Sequence, residues 1–392
     1  MSFVVLVLAG RLFGAEELYI AGVGALALVG AAAAYVRLTR YRLQAARGLR
    51  PVRVHAGSPS RVELSVRNLA ARRSPVLQAH DPFDGGRRAA RFLLAPLAPG
   101  ETARAAYALP TDRRGIFGLG PLELRLTDPF GLATSAQVVA AETQLTVYPH
   151  VDAIPPPPLA MGHDPHAGAD HPSPLTLMGE DFFALRPYEI GDDLRRVHWP
   201  SSAHTGDLMI RQDEMPWQGR ATVVVDLRHP VHSGESLELV ISAAASVVTA
   251  SWQRRALVRL VTTAGTDTGF AAGHDHVEAI LERLAGASST SAATMTAVLA
   301  SLHRHGGGGA VVAITTAGAS HGDLQAIARL RARYGSVTLV MFERAAYAPG
   351  SPAANQPPRR VPSVSRLVRV DAARSFPTAW SDEMARPAGR RA

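Results

Sequence analysis

The sequence of 392 residues contains no cysteine and no lysine. Without thiols the chain can form neither disulfides nor thiolate metal sites, so cysteine chemistry is excluded and the redox compartment is left open. All 41 basic residues are therefore arginines. Aromatic residues are also scarce, at 6% of the chain. A stretch that concentrates them together with charge is therefore informative.

The net charge of +8 is concentrated in one stretch. Six arginines lie between residues 37 and 53 with no acid among them, and without these six the remaining 35 basic residues face 33 acidic ones. The six are Arg37, Arg40, Arg42, Arg47, Arg50 and Arg53. A nucleic-acid-binding domain usually carries its basic surface on a folded face, interleaved with aromatics. We therefore predict no nucleic-acid partner.

The arginine cluster directly follows residues 18–36, an uncharged run of 19 residues. About 20 apolar residues are needed to cross a bilayer, and the positive-inside rule places residue 37 onward in the cytoplasm. We predict a helical hairpin over residues 1–37 in the lipid bilayer of a cell membrane, with a truncated first helix and cytoplasmic soluble domains. A cleaved signal peptide and a buried core helix are the alternatives. Glu16 and Glu17 argue against the first, because a signal peptide carries positive charge before its apolar run.

Residues 48–150 form short alternating runs separated by Gly, Pro and Asn, which is typical of a small antiparallel β-sandwich-like domain. The predicted strands are 61–66, 90–97, 102–109, 122–126 and 143–149. Residues 151–178 contain four consecutive prolines and are interpreted as an extended Pro-rich linker. Its histidines and aspartates are His163, His166, His171, Asp164 and Asp170. They lack the rigid surroundings that a metal site needs.

Strand and helix patterns alternate over residues 218–345. The predicted strands are 222–227, 257–263, 310–316 and 337–342, and the predicted helices are 236–255, 275–285, 291–304 and 322–334. This alternation predicts right-handed βαβ units in a doubly wound parallel sheet. Residues 346–392 are predicted to form a partly disordered C-terminal extension.

Ligands of such sheets gather beyond the carboxyl ends of the strands, where Asp226 follows the first strand. The pattern resembles a von Willebrand factor A domain, which holds a divalent cation with Asp-x-Ser-x-Ser at this place. Here Arg228 and Pro230 occupy the serine positions, and Thr316 ends the later strand where such domains often offer an aspartate. A guanidinium opposes a cation, and one carboxylate does not make an oxygen cage. We predict a degenerate site at Asp226 and Thr316 that holds no metal.

Catalytic patterns are equally incomplete. The glycines 306–309 lack the Lys and Ser/Thr of a phosphate-binding loop, and no G-x-S-x-G elbow is present. The residue types of a hydrolytic triad are present in Ser201 or Ser202, His198 and Asp192. These residues lie within about ten positions of one another, whereas the members of a triad converge from separate rigid elements. We predict no catalytic residue and no cofactor.

Charge and aromatics are densest over residues 179–204, which lie in the segment 179–217 that we hereafter call the signature segment. Its pattern resembles that of the domain of unknown function 58 (DUF 58) family, apart from one extra residue after Glu180. The matching residues that we take as candidate site residues are Glu180, Arg186, Tyr188, Gly191, Asp192, Arg195, His198, Trp199, Ser202 and Ala203. A second segment, RRGIFGLGPLELRLTDPFGL at 113–132, also resembles the family. His204 stands where the family usually has arginine, and a histidine would be a weaker partner in a buried ion pair.

The resemblance implies a membrane-anchored von Willebrand A-like module. The genes of such proteins accompany a MoxR-type AAA+ ATPase and a transglutaminase-like membrane protein, which are therefore the expected partners. We predict a non-enzymatic adaptor in cell-envelope protein assembly or maturation. A cell-envelope hydrolase and a purely structural membrane protein are the alternatives.

Two interpretations of the signature segment remain open. In the first, the segment is a structural strap: its aromatics are buried against the α/β core while Asp192 and Arg195 pair locally. In the second, it is a surface read by a partner, for which arginine and tryptophan are favoured anchors. A mixture of the two predicts structural roles for Trp199 and Tyr188 and partner capture by at least one of Arg186, Asp192 and Arg195.

Overall fold

The computed structural model describes residues 2–158, 184–187, 197, 199–205, 207–212, 219–291, 295–305, 308–348 and 360–386. The chain divides into two compact units, Met1–His150 and Val151–Ala392. We refer to them as the β unit and the α/β unit.

The β unit begins with two helices, α1 (Ser2–Phe13) and α2 (Glu16–Leu38). They approach closely at Gly10, where a Cβ atom would lie 2.8 Å from the backbone nitrogen of Tyr19. Among the described helices, α2 is long and apolar enough to cross a membrane, with a mean hydropathy of 1.9. This property is a matter of length and composition only. The predicted run 18–36 lies inside α2.

Ten strands follow the two helices. They are β1 (Leu43–Arg50), β2 (Arg53–His55), β3 (Ser60–Asn68), β4 (Leu77–Phe83), β5 (Arg88–Leu94), β6 (Thr102–Leu109), β7 (Gly115–Leu119), β8 (Leu122–Thr127), β9 (Thr134–Ala140) and β10 (Thr143–Tyr148). The five predicted strands correspond to β3, β5, β6, β8 and β10. The predicted domain start at residue 48 is wrong, because β1 already pairs with β3 from Leu43.

These strands form two sheets. One has the order β1-β3-β6, and the other has β2-β10-β7-β4-β8-β9 with β5 attached to β4. The pairing is antiparallel except between β10 and β2. Inward-facing side chains alternate with outward-facing ones along β3 and β4, so that residues such as Val62, Leu64 and Leu77 join one apolar core. Burial of alternate apolar side chains is the main stabilising term of such an arrangement.

The α/β unit contains seven strands and seven helices in its described part. The strands are β11 (Ala184–Pro187), β12 (Met209–Gln212), β13 (Arg220–Val225), β14 (Leu257–Thr262), β15 (Ala310–Thr316), β16 (Ser336–Phe342) and β17 (Arg366–Val370). The helices are α3 (Trp199–Thr205), α4 (Ser236–Gln253), α5 (His274–Ala285), α6 (Met295–His305), α7 (His321–Arg329), α8 (Arg344–Tyr347) and α9 (Phe376–Ala385). Short 3-10 turns lie at His229–Val231 and Leu330–Ala332.

Five of these strands form a parallel sheet in the order β14-β13-β15-β16-β17. Strands β15 and β16 are buried along their whole length, as expected for a sheet covered on both faces. The sequence predicted β13 to β16 and the helices between them, with boundaries within a few residues of those observed.

Both ends of this unit differ from the sequence prediction. Residues 346–392 are not merely an extension: β17 completes the sheet beside β16, and α9 packs on β17. The first residues of the predicted linker, 151–158, belong to the α/β unit. There the buried indole of Trp380 donates a hydrogen bond to the carbonyl of Pro155, with 2.7 Å between Nε1 and the oxygen. The remainder of the linker, including its three histidines, lies outside the described residues.

Candidate functional site

Two elements of the signature segment are described, a strand pair and a short helix. Strand β11 pairs antiparallel with β12, with Arg186 opposite Ile210 and Pro187 opposite Met209. Helix α3 is joined to β12 through Ser202, whose buried Oγ accepts a hydrogen bond from the backbone nitrogen of Met209 at 2.9 Å. Among the described residues of the segment, backbone pairing joins β11 to β12 and the Ser202 hydroxyl joins α3 to β12, so this hydroxyl serves a structural bond.

Trp199 opens helix α3, and its side chain is 68% exposed. The expectation that Trp199 is buried as part of a strap is therefore wrong. Ala203, four residues along the same helix, is also exposed and lies on the same face as Trp199. His204 is exposed as well, so this position supplies no buried ion-pair partner.

Other candidate residues of the segment cannot be placed. Glu180, Tyr188, Gly191, Asp192, Arg195 and His198 lie outside the described residues. Arg186 is described through its backbone pairing alone. Of the ten candidates, the structure thus places the side chains of Trp199, Ser202 and Ala203, two of them exposed and one buried.

The carboxyl end of β13 lies where the strand order of the α/β sheet reverses, and we call this place the crevice. Strand β14 follows β13 in the chain and lies on one side of it, whereas the next strand, β15, lies on the other side. The strand order therefore reverses between β13 and β15. Crevices at such reversals are the usual ligand sites of parallel sheets. Asp226 follows β13 here, and its backbone nitrogen donates to the carbonyl of Ile314 on β15 at 3.1 Å. Its side chain is fully buried.

The guanidinium of Arg228 occupies this crevice. It forms a two-pronged ion pair with Asp226, in which Nε lies 2.8 Å from Oδ1 and Nη2 lies 2.8 Å from Oδ2. The same Nη2 also lies 3.0 Å from Oδ2 of Asp323, at the start of α7. One arginine thus joins two carboxylates that are 97 positions apart in the chain (323 minus 226). Fork-shaped pairing of this kind is specific to arginine.

The two threonines that end β15 have different roles. Thr315 donates from Oγ1 to Oδ2 of Asp226 at 2.8 Å. Thr316, which the sequence paired with Asp226, instead donates to the carbonyl of Val231. The placement of Thr316 in the degenerate site is therefore wrong, because consecutive residues of a strand point to opposite faces.

Hydrogen bonds also fix the loop that follows β13. The backbone nitrogen of Leu227 donates to Oγ1 of Thr263 at 2.8 Å, and residues 227 and 229 exchange backbone bonds with Thr290. His232 bonds from Nε2 to the backbone carbonyl of Asp226 at 2.7 Å. The loop is thus held on several sides with Arg228 in the crevice.

Electrostatics stabilise the charged form of this cluster. Hydrogen bonds to Asp226, followed by those to Asp323, raise the pKa of Arg228. Burial raises the pKa of Asp323, but bonds from Ser320 and Arg228 outweigh it and leave the pKa below its ordinary value. Burial lowers the pKa of His232. At neutral pH Arg228 is therefore positively charged and Asp323 is ionised. In the described part of the chain, no group of three or more His, Asp or Glu residues is arranged to hold a metal ion.

Asp323 was missed by sequence reasoning, although a local signal for it exists. Ser320 and Asp323 form a reciprocal capping box at the start of α7, with Ser320 Oγ 3.1 Å from the nitrogen of Asp323. This S-x-x-D pattern after a strand marks a helix that begins at the carboxyl edge of the sheet. The aspartate of the pattern is the third residue of that helix and is therefore a candidate for the crevice.

The second family-like segment, 113–132, approaches a buried arginine of the β unit at Gly120. Arg47 lies 2.6 Å from Asp81 through Nη1, and both side chains are almost fully buried. Tyr107 donates to the other oxygen of Asp81 at 2.6 Å. A Cβ atom at Gly120, whose φ is +99°, would lie 2.5 Å from Nη1 of Arg47, so glycine is required there. Arg47 is therefore not a membrane-surface charge, although the sequence placed it in that cluster.

The same segment ends in a turn built around Asp128. Its carboxylate accepts bonds from the backbone nitrogens of Phe130 and Ala133, at 2.8 Å and 2.6 Å. Burial raises the pKa of Asp128. The backbone hydrogen bonds lower it by more, so the pKa of Asp128 is below its ordinary value. The turn therefore has a defined conformation in which Phe130 is displayed at 69% exposure.

Most of the α/β unit matches one protein family. The matching family model, described as "Protein of unknown function DUF58", spans residues 184–341. This region runs from β11 through most of β16 and contains both α3 and the crevice at Asp226. The match supports the DUF58 relationship that the signature segment suggested.

No curated protein matches the chain in sequence. Among solved structures, a CARDB domain from Pyrococcus furiosus, crystallised with di-metal ions, is 14% identical, with 28% of this chain and 94% of that chain covered and a TM-score of 0.23. A putative ApaA protein from Bordetella pertussis is 18% identical, with 28% and 96% covered and a TM-score of 0.21. A β-glucosidase from Listeria innocua is 14% identical, with 27% and 16% covered and a TM-score of 0.18. These scores are too low to support an argument about fold or function.

Proposed function

We propose that this DUF58-like chain is a non-enzymatic, membrane-anchored adaptor with a von Willebrand A-like α/β unit. Its expected partners are a MoxR-type AAA+ ATPase and a transglutaminase-like membrane protein, in the assembly or maturation of cell-envelope proteins. The observation that carries the proposal is the exposed indole of Trp199 on helix α3, within the family-matched region.

An exposed tryptophan at a defined place on a helix favours a docking role. Tryptophan buries a large apolar area and also carries an N–H donor, and it is among the most enriched anchors of protein interfaces. Ala203, exposed on the same helix face, adds only a small side chain beside the ring. Because Ser202 fixes α3 to β12, little ordering is required when a partner binds.

The crevice supports an adaptor rather than an enzyme or a cation-dependent receptor. In our proposal the guanidinium of Arg228 takes the place of the cation of a von Willebrand A domain, which is supported by its bonds to both neighbouring carboxylates. The unit therefore does not need a metal ion to neutralise these two acids. Partner binding in our proposal uses the surface of α3 and not the crevice.

Helix α2 is the proposed membrane anchor, and α1, which packs against it, is the other half of the proposed hairpin. Arg37, Arg40 and Arg42 are exposed at its carboxyl end, which favours a cytoplasmic location for both units. A carboxyl-terminal reporter tests this topology: we expect a cytoplasmic fluorescent protein to be active there. Alkaline phosphatase activity at the same position would contradict it.

The docking role is tested by substituting Trp199. Trp199→Ala should change the free energy of unfolding by no more than about 0.5 kcal/mol, because the ring is exposed, yet lower ATPase capture at least about tenfold. Capture is measured with the purified full chain and a MoxR-type ATPase in the presence of a non-hydrolysable ATP analogue. By contrast, Trp380→Ala removes a fully buried indole and should cost about 3–5 kcal/mol.

Leu208→Ala is the matched control, since Leu208 is 41% exposed in the same segment. It should retain both stability and capture. Full capture by Trp199→Ala would exclude α3 as the docking surface, and no capture by the wild-type chain would remove the adaptor proposal.

A further inference from the structure

Strand register brings several loops of the β unit to one end. Strand β1 starts there with Leu43 opposite Asn68, which ends β3. The β3–β4 loop (69–76) and the β5–β6 loop (95–101) lie at the same end, because Leu77 is paired with Leu94. The β8–β9 turn (128–133) joins them, since β8 runs antiparallel to β4 and Gln78 faces Arg125. We call this the α2-proximal end.

Large apolar side chains are exposed at this end. They are Leu69 (47%), Val76 (52%), Leu93 (72%), Phe130 (69%) and Leu132 (46%). In the strands and loops of the β unit, the remaining exposed large hydrophobics are Val52, Ile116 and Val138. Single exposed apolar residues are normal, but a concentration of them at one end of a domain marks a contact surface.

Arginines accompany these apolar side chains. Arg40, Arg42, Arg67, Arg72 and Arg73 are all exposed. Arg72 and Arg73 lie in a loop braced by the buried Asn68, whose Nδ2 donates to the carbonyl of Arg72 at 2.8 Å. The acids at this end are Glu101, which is exposed, and Asp128, whose carboxylate is used by its own turn. The balance of exposed charge is thus clearly positive.

Helix α2 leaves the β unit from this same end. It ends at Leu38, four residues before Arg42, whose carbonyl accepts a bond from the nitrogen of Leu69 at 2.8 Å. Strand β9, which begins directly after the Phe130 turn, contacts α2. Any membrane that holds α2 therefore lies beside the exposed apolar and basic side chains.

We propose that the α2-proximal end is a second membrane contact, which rests on an anionic lipid surface with Phe130 and Leu132 in the interfacial region. This inference rests on the proposed anchoring through α2. Apolar side chains flanked by arginines are the composition of interfacial membrane contacts, because an anionic surface attracts the arginines while the apolar side chains enter the interface. Because the helix already confines this end to the bilayer, even a weak contact would be populated.

The absence of cysteine allows a direct test with the full chain. Phe130→Cys, labelled with an environment-sensitive fluorophore, is reconstituted into phosphatidylcholine vesicles with and without phosphatidylglycerol. We expect blue-shifted emission and severalfold stronger quenching by nitroxide-labelled lipid than for a control label at Ser58→Cys. Ser58 is exposed and lies just before the start of β3, at the opposite end of the unit. Leu132→Cys provides a second reporter in case position 130 perturbs the turn.

The contribution of charge is tested with the double substitution Arg72→Glu and Arg73→Glu, which should reduce the quenching in phosphatidylglycerol vesicles severalfold.

Flotation of the same vesicles after alkaline extraction reports α2 insertion independently. Floated protein with a water-exposed label at 130 and 132 overturns the lipid contact and leaves the anchor intact. A blue shift without nitroxide quenching indicates a protein contact and also overturns it. Failure to float removes the anchor and this proposal together, whereas ATPase capture is measured separately.

Discussion

Each unit of the chain buries an arginine against an aspartate, but the two arrangements differ in what they connect. Arg47 on β1 binds Asp81 on β4, so the pair joins the two sheets of the β unit. Arg228 binds Asp226, two residues away, and reaches Asp323 on α7 at the carboxyl edge of the parallel sheet. The first pair lies in the interior, and the second lies at the mouth of a crevice with Arg228 14% exposed.

The difference lies in how completely each arginine is satisfied. Arg228 meets two carboxylates through its fork, and Thr315 completes one of them. Arg47 meets one carboxylate, and its Nε has no hydrogen-bond partner among the described residues. A buried ion pair adds little net stability, but removing one partner is costly because the other charge remains buried. The more deeply buried pair should therefore be the more sensitive to loss of its acid.

The largest effect should come from Asp81→Ala. This change leaves the guanidinium of Arg47 buried without a counter-charge and removes the acceptor of Tyr107, so we expect a loss of about 3–5 kcal/mol in the free energy of unfolding. Urea unfolding followed by hydrogen exchange in β3 and β6 measures it. Glu63→Ala is the control, because its pair with Arg61 is largely exposed and should contribute less than about 1 kcal/mol. If Asp81→Ala lost no more free energy of unfolding than Glu63→Ala, the buried pair would be no more sensitive than an exposed one.

A smaller loss, of about 2–3 kcal/mol, should follow Arg228→Ala, because water can enter the partly open crevice. The two remaining carboxylates would then face each other without a cation. We expect millimolar Mg²⁺ to raise the melting temperature of this variant and to leave that of the wild type unchanged, as measured by calorimetry. Arg259→Ala, which breaks a pair with the more exposed Asp267, should show no such Mg²⁺ response. A Mg²⁺ response of the wild-type chain would show that Arg228 does not replace a cation.

The smallest effect should appear on mild acidification. Burial lowers the pKa of His232, so the unfolded chain binds more protons below its ordinary value of about 6.5. Stability of the α/β unit should therefore be full above that pH and decline as the pH falls towards the folded pKa. His232→Asn should remove the decline, as read from hydrogen exchange in β13 and α4. His80→Asn is the control: burial lowers the pKa of His80 too, but that residue lies in the β unit. An unchanged pH profile in His232→Asn would contradict the assignment.

The strands of the α/β unit could be predicted because their pattern is local. Each central strand is an apolar run that is long enough to recognise, such as Ala310–Thr316. Strand β1 was missed for the opposite reason. Its sequence LQAARGLR resembles a membrane flank, and one of its inward positions is Arg47, which is acceptable only because Asp81 lies opposite. The sequence of the strand contains no sign of that partner.

The crevice was predictable at one position and not at the others. Asp226 could be located because it follows an obvious strand. The contact of Thr315 with Asp226, in contrast, depends on the strand register that sets Val225 beside Ile314. The position of Asp323 in the crevice depends on where α7 begins. The exposure of Trp199 was also beyond sequence reasoning, because an aromatic residue among charges fits a buried strap and a docking surface equally well.

The hydrogen bond between Trp380 and Pro155 has a consequence for synthesis of the chain. Its two residues are 225 positions apart, and Trp380 lies on the last described helix. At about 5–20 residues per second, a ribosome needs roughly 10–45 s to add the second partner after the first. The β unit can fold during that interval, whereas the α/β unit receives its edge strand β17 and helix α9 only near the end of it. A ribosome that stalls before residue 366 would leave the parallel sheet without strand β17, and such an open edge can pair with other chains.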